Sequence, residues 1–279
     1  MNVLRTPDER FDGLPGWDFE PRYVEIARPD GAPIRVHYVD EGPAEGEPVV
    51  LLHGEPSWSY LYRKMIPVIA AAGIRAVGID FVGFGRSDKP VERADYTYQR
   101  HVDWTRAALD AIGVGDITLF CQDWGGLIGL RLVGEEPDRF ARVVAANTFL
   151  VTGDQPVSDA WHRFRQASQE IEVFDVGRAV QAGCATTLTA EVLEAYAAPF
   201  PDESYKAGVR QFPMLVPTTP DDPATIPNRA AWEVLSRFEK PFLTIFGAKD
   251  PISRGAERFL QALIPGASGQ DHVVLEDAG

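Results

Sequence analysis

The chain has 279 residues, 45% hydrophobic and 24% charged, the balance of a soluble globular enzyme long enough to bury a large core. Lys+Arg 27 against Asp+Glu 41 gives a formal net charge of −14 with no basic tract, which argues against nucleic acid and anionic membrane as partners. No apolar run approaches the ~20 residues that span a bilayer, the start carries no signal-peptide core, and the distant Cys121 and Cys184 make neither a disulfide framework nor a zinc pattern, so a cytoplasmic protein is expected.

Tyr23–Ala27 and Ile34–Val39 alternate at period two, with Pro29-Asp30-Gly31 as a turn between them. This predicts a hairpin entering a sheet, with His37 as a strand residue. Pro48–Leu52 is a continuous apolar run, as a buried parallel strand requires. It opens into His53-Gly54-Glu55-Pro56-Ser57-Trp58, where His53 is expected to orient the loop. Ala76–Ile79 is the next strand and ends in Asp80-Phe81-Val82-Gly83-Phe84-Gly85-Arg86-Ser87-Asp88. Asp88 stands where a dinucleotide fingerprint needs its third glycine, so these glycines are read as packing a loop. Val102, Thr105, Ala108, Leu109 and Ile112 mark one face of a helix.

The run Ile117–Phe120 leads into Cys121-Gln122-Asp123-Trp124-Gly125-Gly126, and a helix pattern, Leu127–Val133, leads out. Strand, sharp turn and helix with small residues around the turn is the nucleophile-elbow layout of α/β-hydrolases, with Asp123 where serine is usual. A serine that attacked a saturated carbon would form an ether, which water does not readily cleave. An aspartate forms an ester, which water can open at the carbonyl. Asp123 therefore points to displacement at an alkyl carbon; the plainer alternative is an Asp that caps the following helix. In this fold a His-Gly loop supplies half of an oxyanion hole, so the backbone N–H groups of Glu55 and Trp124 are the expected donors. The Glu55 carboxylate could also hold the hydrolytic water.

Val143–Ala146 is a further strand. Residues 150–228 then carry helical patterns, Asp159–Glu170 and Ala190–Ala197 among them, run into a proline-rich stretch, and show no strand signal. This predicts a helical cap over the carboxyl ends of the sheet, inserted into a main domain of residues 1–149 and 229–279. Its aromatics, Trp161, Phe164, Phe174, Tyr196, Phe200, Tyr205 and Phe212, supply at least a cap core. The sheet resumes at Pro241–Phe246, and Asp250 falls just past that strand, where an acid that orients a catalytic His belongs or where an ordinary Asp-Pro turn would sit. His272–Leu275 is the last strand. The five scattered His offer no metal-ligand spacing, and neither a metal nor a cofactor is expected.

The segments Leu51–Tyr60, Val82–Pro90, Cys121–Gly126, Ala198–Asp202 and Phe246–Asp250, in that order, resemble the haloalkane dehalogenases, and within them the branch with His-Gly-Glu-Pro in the oxyanion loop. The resemblance runs from Leu4 to Gly279. It implies an α/β-hydrolase fold, a mostly parallel central sheet flanked by helices with a helical cap after the strand that follows the elbow. It also implies a small halogenated alkane as substrate, SN2 displacement of halide by Asp123, and hydrolysis of the resulting ester to a primary alcohol. Asp250 becomes the acid behind the catalytic His, Glu55 completes the oxyanion loop, and Trp124 donates its indole N–H to the departing halide ion. No cofactor is needed, and a monomer is expected.

Two departures stand out. The family's second halide-binding Trp falls at Phe164, with Trp161 one helical turn earlier on the same face, so both are candidates for the halide site. If neither presents an indole there, chloride should suffer more than bromide or iodide as leaving group. The family's catalytic His follows the Asp-Ala-Gly after the last strand; here Asp277-Ala278-Gly279 is present and the His expected after Gly279 is absent from the sequence. His272 is about 20 Å from Gly279 along an extended segment at ~3.3 Å per residue. The expectation is an ester that forms on Asp123 but is hydrolysed poorly, and a sheet face left exposed where a final helix would pack. Two rival readings remain. An epoxide hydrolase would use Tyr196 and Tyr205 and would release a diol rather than halide. A non-catalytic ligand-binding α/β-hydrolase homologue would leave no adduct on Asp123.

Overall fold

The computed structural model describes residues 1–28 and 31–279. In chain order the strands are Val3–Leu4 (β1), Arg22–Arg28 (β2), Gly31–Glu41 (β3), Pro48–Leu52 (β4), Arg75–Ile79 (β5), Lys89–Pro90 (β6), Ile117–Gln122 (β7), Phe140–Ala146 (β8), Phe242–Gly247 (β9) and Val273–Leu275 (β10). Among the described residues, eight of them form one sheet in the order β10-β9-β8-β7-β4-β5-β3-β2. The pairs from β10 to β5 are parallel, and β3 runs antiparallel to both β5 and β2. The expected hairpin is present, with Tyr23 opposite His37; Pro29 and Asp30 of its predicted turn lie outside the described residues. β1 pairs with β6 as a separate ribbon.

Strand order fixes where a site can form. From β4 the chain moves outward to β5 and then returns to β4's other side as β7, so the loops after β4 and β7 leave the sheet in opposite directions. The crevice between them is the topological switch point at which open α/β sheets bind ligands. Glu55 and Asp123 stand on its two sides.

The helices are Met65–Ala71 (α1), Tyr98–Ile112 (α2), Trp124–Glu135 (α3), Asp159–Glu170 (α4), Val176–Gly183 (α5), Ala190–Ala197 (α6), Ala207–Leu215 (α7), Thr225–Leu235 (α8) and Ala256–Leu263 (α9). Their limits follow from capping chemistry. Thr97, Ser158, Asp175 and Thr189 each accept a backbone N–H at the start of α2, α4, α5 and α6, and Gly113 ends α2 in the left-handed conformation with φ 76°. The described residues between β8 and β9 are helices and turns without a strand. Of these, α8 lies against α3: the Arg131 guanidinium donates to Asn228 Oδ1 at 3.0 Å, and Trp232 Nε1 donates to Leu150 O at 2.8 Å.

The apolar run of β4 is buried because both faces of the sheet are covered. Val50 and Leu52 pack with Leu119 and Ile128 on one side, while Leu51 packs with Val39, Trp58, Tyr60 and Ile66 on the other. Consecutive strand residues point to opposite faces, so the run reads as continuous only in a doubly covered sheet. No helix among the described residues is long and apolar enough to cross a membrane.

The elbow glycines permit a close approach of α3 to the neighbouring strand ends. A Cβ on Gly125 would stand 1.9 Å from the Leu52 carbonyl oxygen, and one on Gly126 would stand 1.9 Å from Thr148 Oγ1. Gly115, by contrast, has open space around it. Gly125→Ala is therefore expected to cost about 1–3 kcal/mol through overpacking, and Gly115→Ala to stay within about 0.5 kcal/mol of wild type. Urea unfolding of the two variants checks this.

Candidate active site

Asp123 joins β7 to α3 with φ 53° and ψ −120°, a conformation that a residue with a side chain adopts only when its surroundings enforce it. Here the surroundings are hydrogen bonds. The Asp123 N–H donates to Asn147 O at 3.3 Å. Its carbonyl oxygen accepts the N–H groups of Gly126 at 2.9 Å and Leu127 at 3.2 Å, and the Thr148 hydroxyl at 2.7 Å. The carboxylate is lifted into the crevice, where Oδ1 accepts the Glu55 N–H at 2.8 Å and the Trp124 N–H also bonds the carboxylate. Both backbone donors nominated from sequence thus sit on this side chain. Burial pushes the Asp123 carboxyl up to about 6; the two N–H groups oppose that rise, and the charge of Asp250 adds to it.

The donor loop is built to stay fixed. The Gly54 carbonyl accepts the Ser57 N–H at 3.1 Å, the Ser57 hydroxyl at 2.9 Å and His53 Nδ1 at 2.8 Å. His53 Nε2 accepts the Phe81 N–H at 3.1 Å, so the proton of its neutral ring is on Nδ1, and burial lowers its basicity. His53 orients the loop, as expected. A side chain at Gly54 would meet Asp123 Cβ at 2.5 Å, so only glycine lets loop and elbow come together. The Glu55 carboxyl is pushed well above the usual range, first by burial and then by the charge of Asp123. Its Oε1 is buried and has no partner among the described residues.

Asp250 lies past β9, buried, and is held from three directions. Asn147 Nδ2 donates to Oδ2 at 2.7 Å, the Ile252 N–H donates to Oδ1 at 2.7 Å, and the Ser253 hydroxyl makes a short contact to Oδ2. Asn147 Oδ1 accepts the Gly247 N–H at 2.9 Å. Asn147 therefore links the strand ends that carry Asp123 and Asp250. Sequence reading passed over it, and its only local signal is its position at the end of β8.

The histidines are engaged elsewhere. His37 Nδ1 pairs with Asp80 Oδ2 at 2.7 Å, and His101 is buried among Phe212, Trp104 and Tyr96. His162 packs edge-on to Trp161, and His272 bonds Thr244 and Ala267. Among the described residues, none hydrogen-bonds Asp123 or Asp250.

The Trp124 ring is nearly fully buried, with the Phe212 ring 4.3 Å from it at 33° and Tyr98 at 5.4 Å. Of the two cap candidates, Trp161 lies under the Arg165 guanidinium at 5.4 Å and Phe164 meets Phe174 edge-on at 6.5 Å. Among the described residues, no ring contact joins either to Trp124. The aromatic that covers Trp124 is Phe212 of α7, a residue inside the proline-rich stretch, where no helical periodicity singles out one ring. No group of three His, Cys, Asp or Glu side chains among the described residues could hold a metal ion.

A parallel sheet whose carboxyl edge lifts a carboxylate on a strained turn, faced by backbone N–H donors, has the layout of an α/β-hydrolase. The family model for the α/β hydrolase fold matches residues 47–279. The chain is 56% identical to a haloalkane dehalogenase of Psychrobacter cryohalolentis, over 100% of this chain and 92% of that one. It is 51% identical to one of Mycobacterium marinum, over 100% of this chain and 96% of that one. A solved haloalkane dehalogenase from Paraglaciecola agarilytica, described as tetrameric, superposes with a TM-score of 0.93 at 36% identity, covering 100% of this chain and 93% of that one. The chain belongs to the haloalkane dehalogenase family, hydrolases that act on carbon–halide bonds.

The raised Asp123 pKa has a consequence for stability. The native carboxyl holds its proton up to about 6, above its ordinary 3.8, so this group's contribution is fully present below pH 3.8 and is lost as pH rises through 6. Asp123→Asn removes the titration. The stability difference between variant and wild type should therefore grow in the variant's favour from pH 4 to pH 7, as read by urea unfolding at each pH.

Proposed function

We propose that the protein converts haloalkanes to primary alcohols and halide through an ester on Asp123. One carboxylate oxygen attacks the substrate carbon, the carbon–halogen bond breaks with its electron pair leaving on the halide, and an alkyl ester remains. Attack of water at the ester carbonyl then builds negative charge on the oxygen that the Glu55 and Trp124 N–H groups face, and these donors stabilise it. The observation that carries this reading is the Asp123 carboxylate held by two backbone N–H groups beside a buried indole.

Other groups have supporting roles. Glu55, whose carboxyl is pushed well above the usual range by burial and by the charge of Asp123, is placed to hydrogen-bond the hydrolytic water. Asp250, fixed by Asn147 and the Ile252 N–H, is suited to orient an imidazole base. The first equivalent of halide per enzyme reads the alkylation step by itself. Trp124 donates to the leaving halide in a site that Phe212 closes against water. Trp161 and Phe164 of α4 stay as candidates for a second halide contact.

The epoxide reading is less well supported, because the Tyr196 hydroxyl accepts from Arg63 at 3.4 Å and its ring packs on Tyr60. The thiols of Cys121 and Cys184 are free, which fits a reducing compartment, and we carry a cytoplasmic location on that basis. The monomer expected from sequence has a counter-example in the tetrameric relative.

Two variants test the reading with a short bromoalkane and its chloro counterpart. Asp123→Ala should abolish the first equivalent of halide. Trp124→Phe keeps the ring stack and loses the donor; a hydrogen bond to a charged group is worth about 1.5–3 kcal/mol, so release should slow by about 10- to 150-fold, chloride more than bromide. Equal effects on the two halides would count against Trp124 as the halide donor.

A further inference from the structure

The oxyanion loop is tied to the cap through one indole. Helix α6 ends at Ala197, and Pro199 has no N–H to give to the Ala195 carbonyl, which would otherwise receive the bond from the residue four positions on. Trp58 fills the gap: its Nε1–H donates to Ala195 O at 3.1 Å in a buried setting. Two carbonyls just beyond this turn accept donors from the amino-terminal segment, Ala198 O from Arg10 Nε at 3.2 Å and Pro199 O from the Thr6 hydroxyl at 2.7 Å. This end of the cap is thus completed by donors that belong to the rest of the molecule.

Trp58 is also rigidly connected to the site. It stacks on Tyr60 at 5.5 Å and meets Phe11 at 5.4 Å and Trp17 at 4.7 Å. Only Pro56 and Ser57 separate it from Glu55, and Ser57 is pinned twice to the Gly54 carbonyl. Little slack is left between the indole and the Glu55 N–H.

We propose that Trp58 is a positioning residue: through Ala195 it sets the oxyanion loop in register with the docked cap and so keeps the Glu55 N–H on Asp123. This rests on Asp123 being the nucleophile. The titratable groups that face Asp123 are Glu55 from the loop after β4, Tyr62 from the turn that follows that loop, whose hydroxyl donates to Leu52 O at 2.7 Å, and Asp250 from the loop after β9. A donor that drifts from the carboxylate favours its protonated form. Trp58→Phe keeps an aromatic ring and removes the donor, which should raise the pH midpoint of first-turnover alkylation by about half a unit. At pH 6 the variant should then alkylate about two- to threefold more slowly than wild type, while the two rates converge above pH 8, where the nucleophile is ionised in both.

Thr6→Val is the control, since it removes a bond to the same end of the cap without touching the loop; its midpoint should stay at the wild-type value even where its stability falls. If Trp58→Phe does not fold, benzothienylalanine at position 58 replaces the indole N–H with sulfur at nearly constant shape. The measurement is the amount of covalent adduct against time and pH, by intact mass after rapid quenching with a short bromoalkane. A raised midpoint in the position-58 variant alone supports the proposal. An unmoved midpoint, or an equal shift in Thr6→Val, overturns it. Absence of adduct in the wild type overturns the nucleophile assignment, and this inference with it.

Discussion

The Glu55 N–H to Asp123 Oδ1 hydrogen bond crosses the switch point of the sheet, and much of the surrounding structure serves to keep it in place. A carboxylate taken out of water must be paired or it takes up a proton. The protein meets that requirement with backbone donors rather than a cation. A cation beside Asp123 would hold the anion more firmly and weaken it as a nucleophile. Backbone N–H groups leave the carboxyl near 6, which suits the attack proposed for it. In the proposed reaction the same donors would face the ester oxygen on which charge develops during hydrolysis, so that one arrangement would serve both halves.

Keeping two loops from different strands in contact at a hydrogen-bond distance demands small residues and satisfied polar groups. Gly54, Gly125 and Gly126 remove side chains that would hold the loops apart. The three bonds on the Gly54 carbonyl and the Thr148 bond on the Asp123 carbonyl fix the backbone on either side. Beneath the loop, the Asp80 carboxylate accepts from the Ser59 and Arg86 backbones and pairs with His37. Burial would raise the Asp80 pKa, but His37, His53 and the backbone donors outweigh that and hold it well below the usual carboxylate range. The loop after β4 therefore rests on a buried carboxylate, both of whose oxygens are hydrogen-bonded.

How much of this was legible in sequence depends on the range of the interaction. Periodicity and continuous apolar runs located the main strands, because burial of each face is a property of neighbouring residues. The elbow was legible for a similar reason: two glycines after an acidic residue at a strand end leave few other readings. Asn147, Phe212 and the Trp58–Ala195 bond were not legible as functional, although each is visible in the chain. Asn147 matters because β8 lies between β7 and β9, Phe212 because α7 brings its ring onto Trp124, and Trp58 because Pro199 withholds a donor from a helix more than a hundred residues away. Such roles are set by three-dimensional neighbours that no local pattern encodes. The halide candidates illustrate the same point: Trp161 and Phe164 share a helix face, and no local pattern tells that the Arg165 guanidinium lies over the one and the Phe174 ring meets the other.

The most direct test of the account is peptide mapping of the protein quenched after exposure to one equivalent of a short dibromoalkane. The account predicts one bromoalkyl group, carried as an ester by the peptide that contains Asp123, with one bromide released for each group bound. Bromide released while Asp123 stays unmodified and the label sits on another side chain would contradict it.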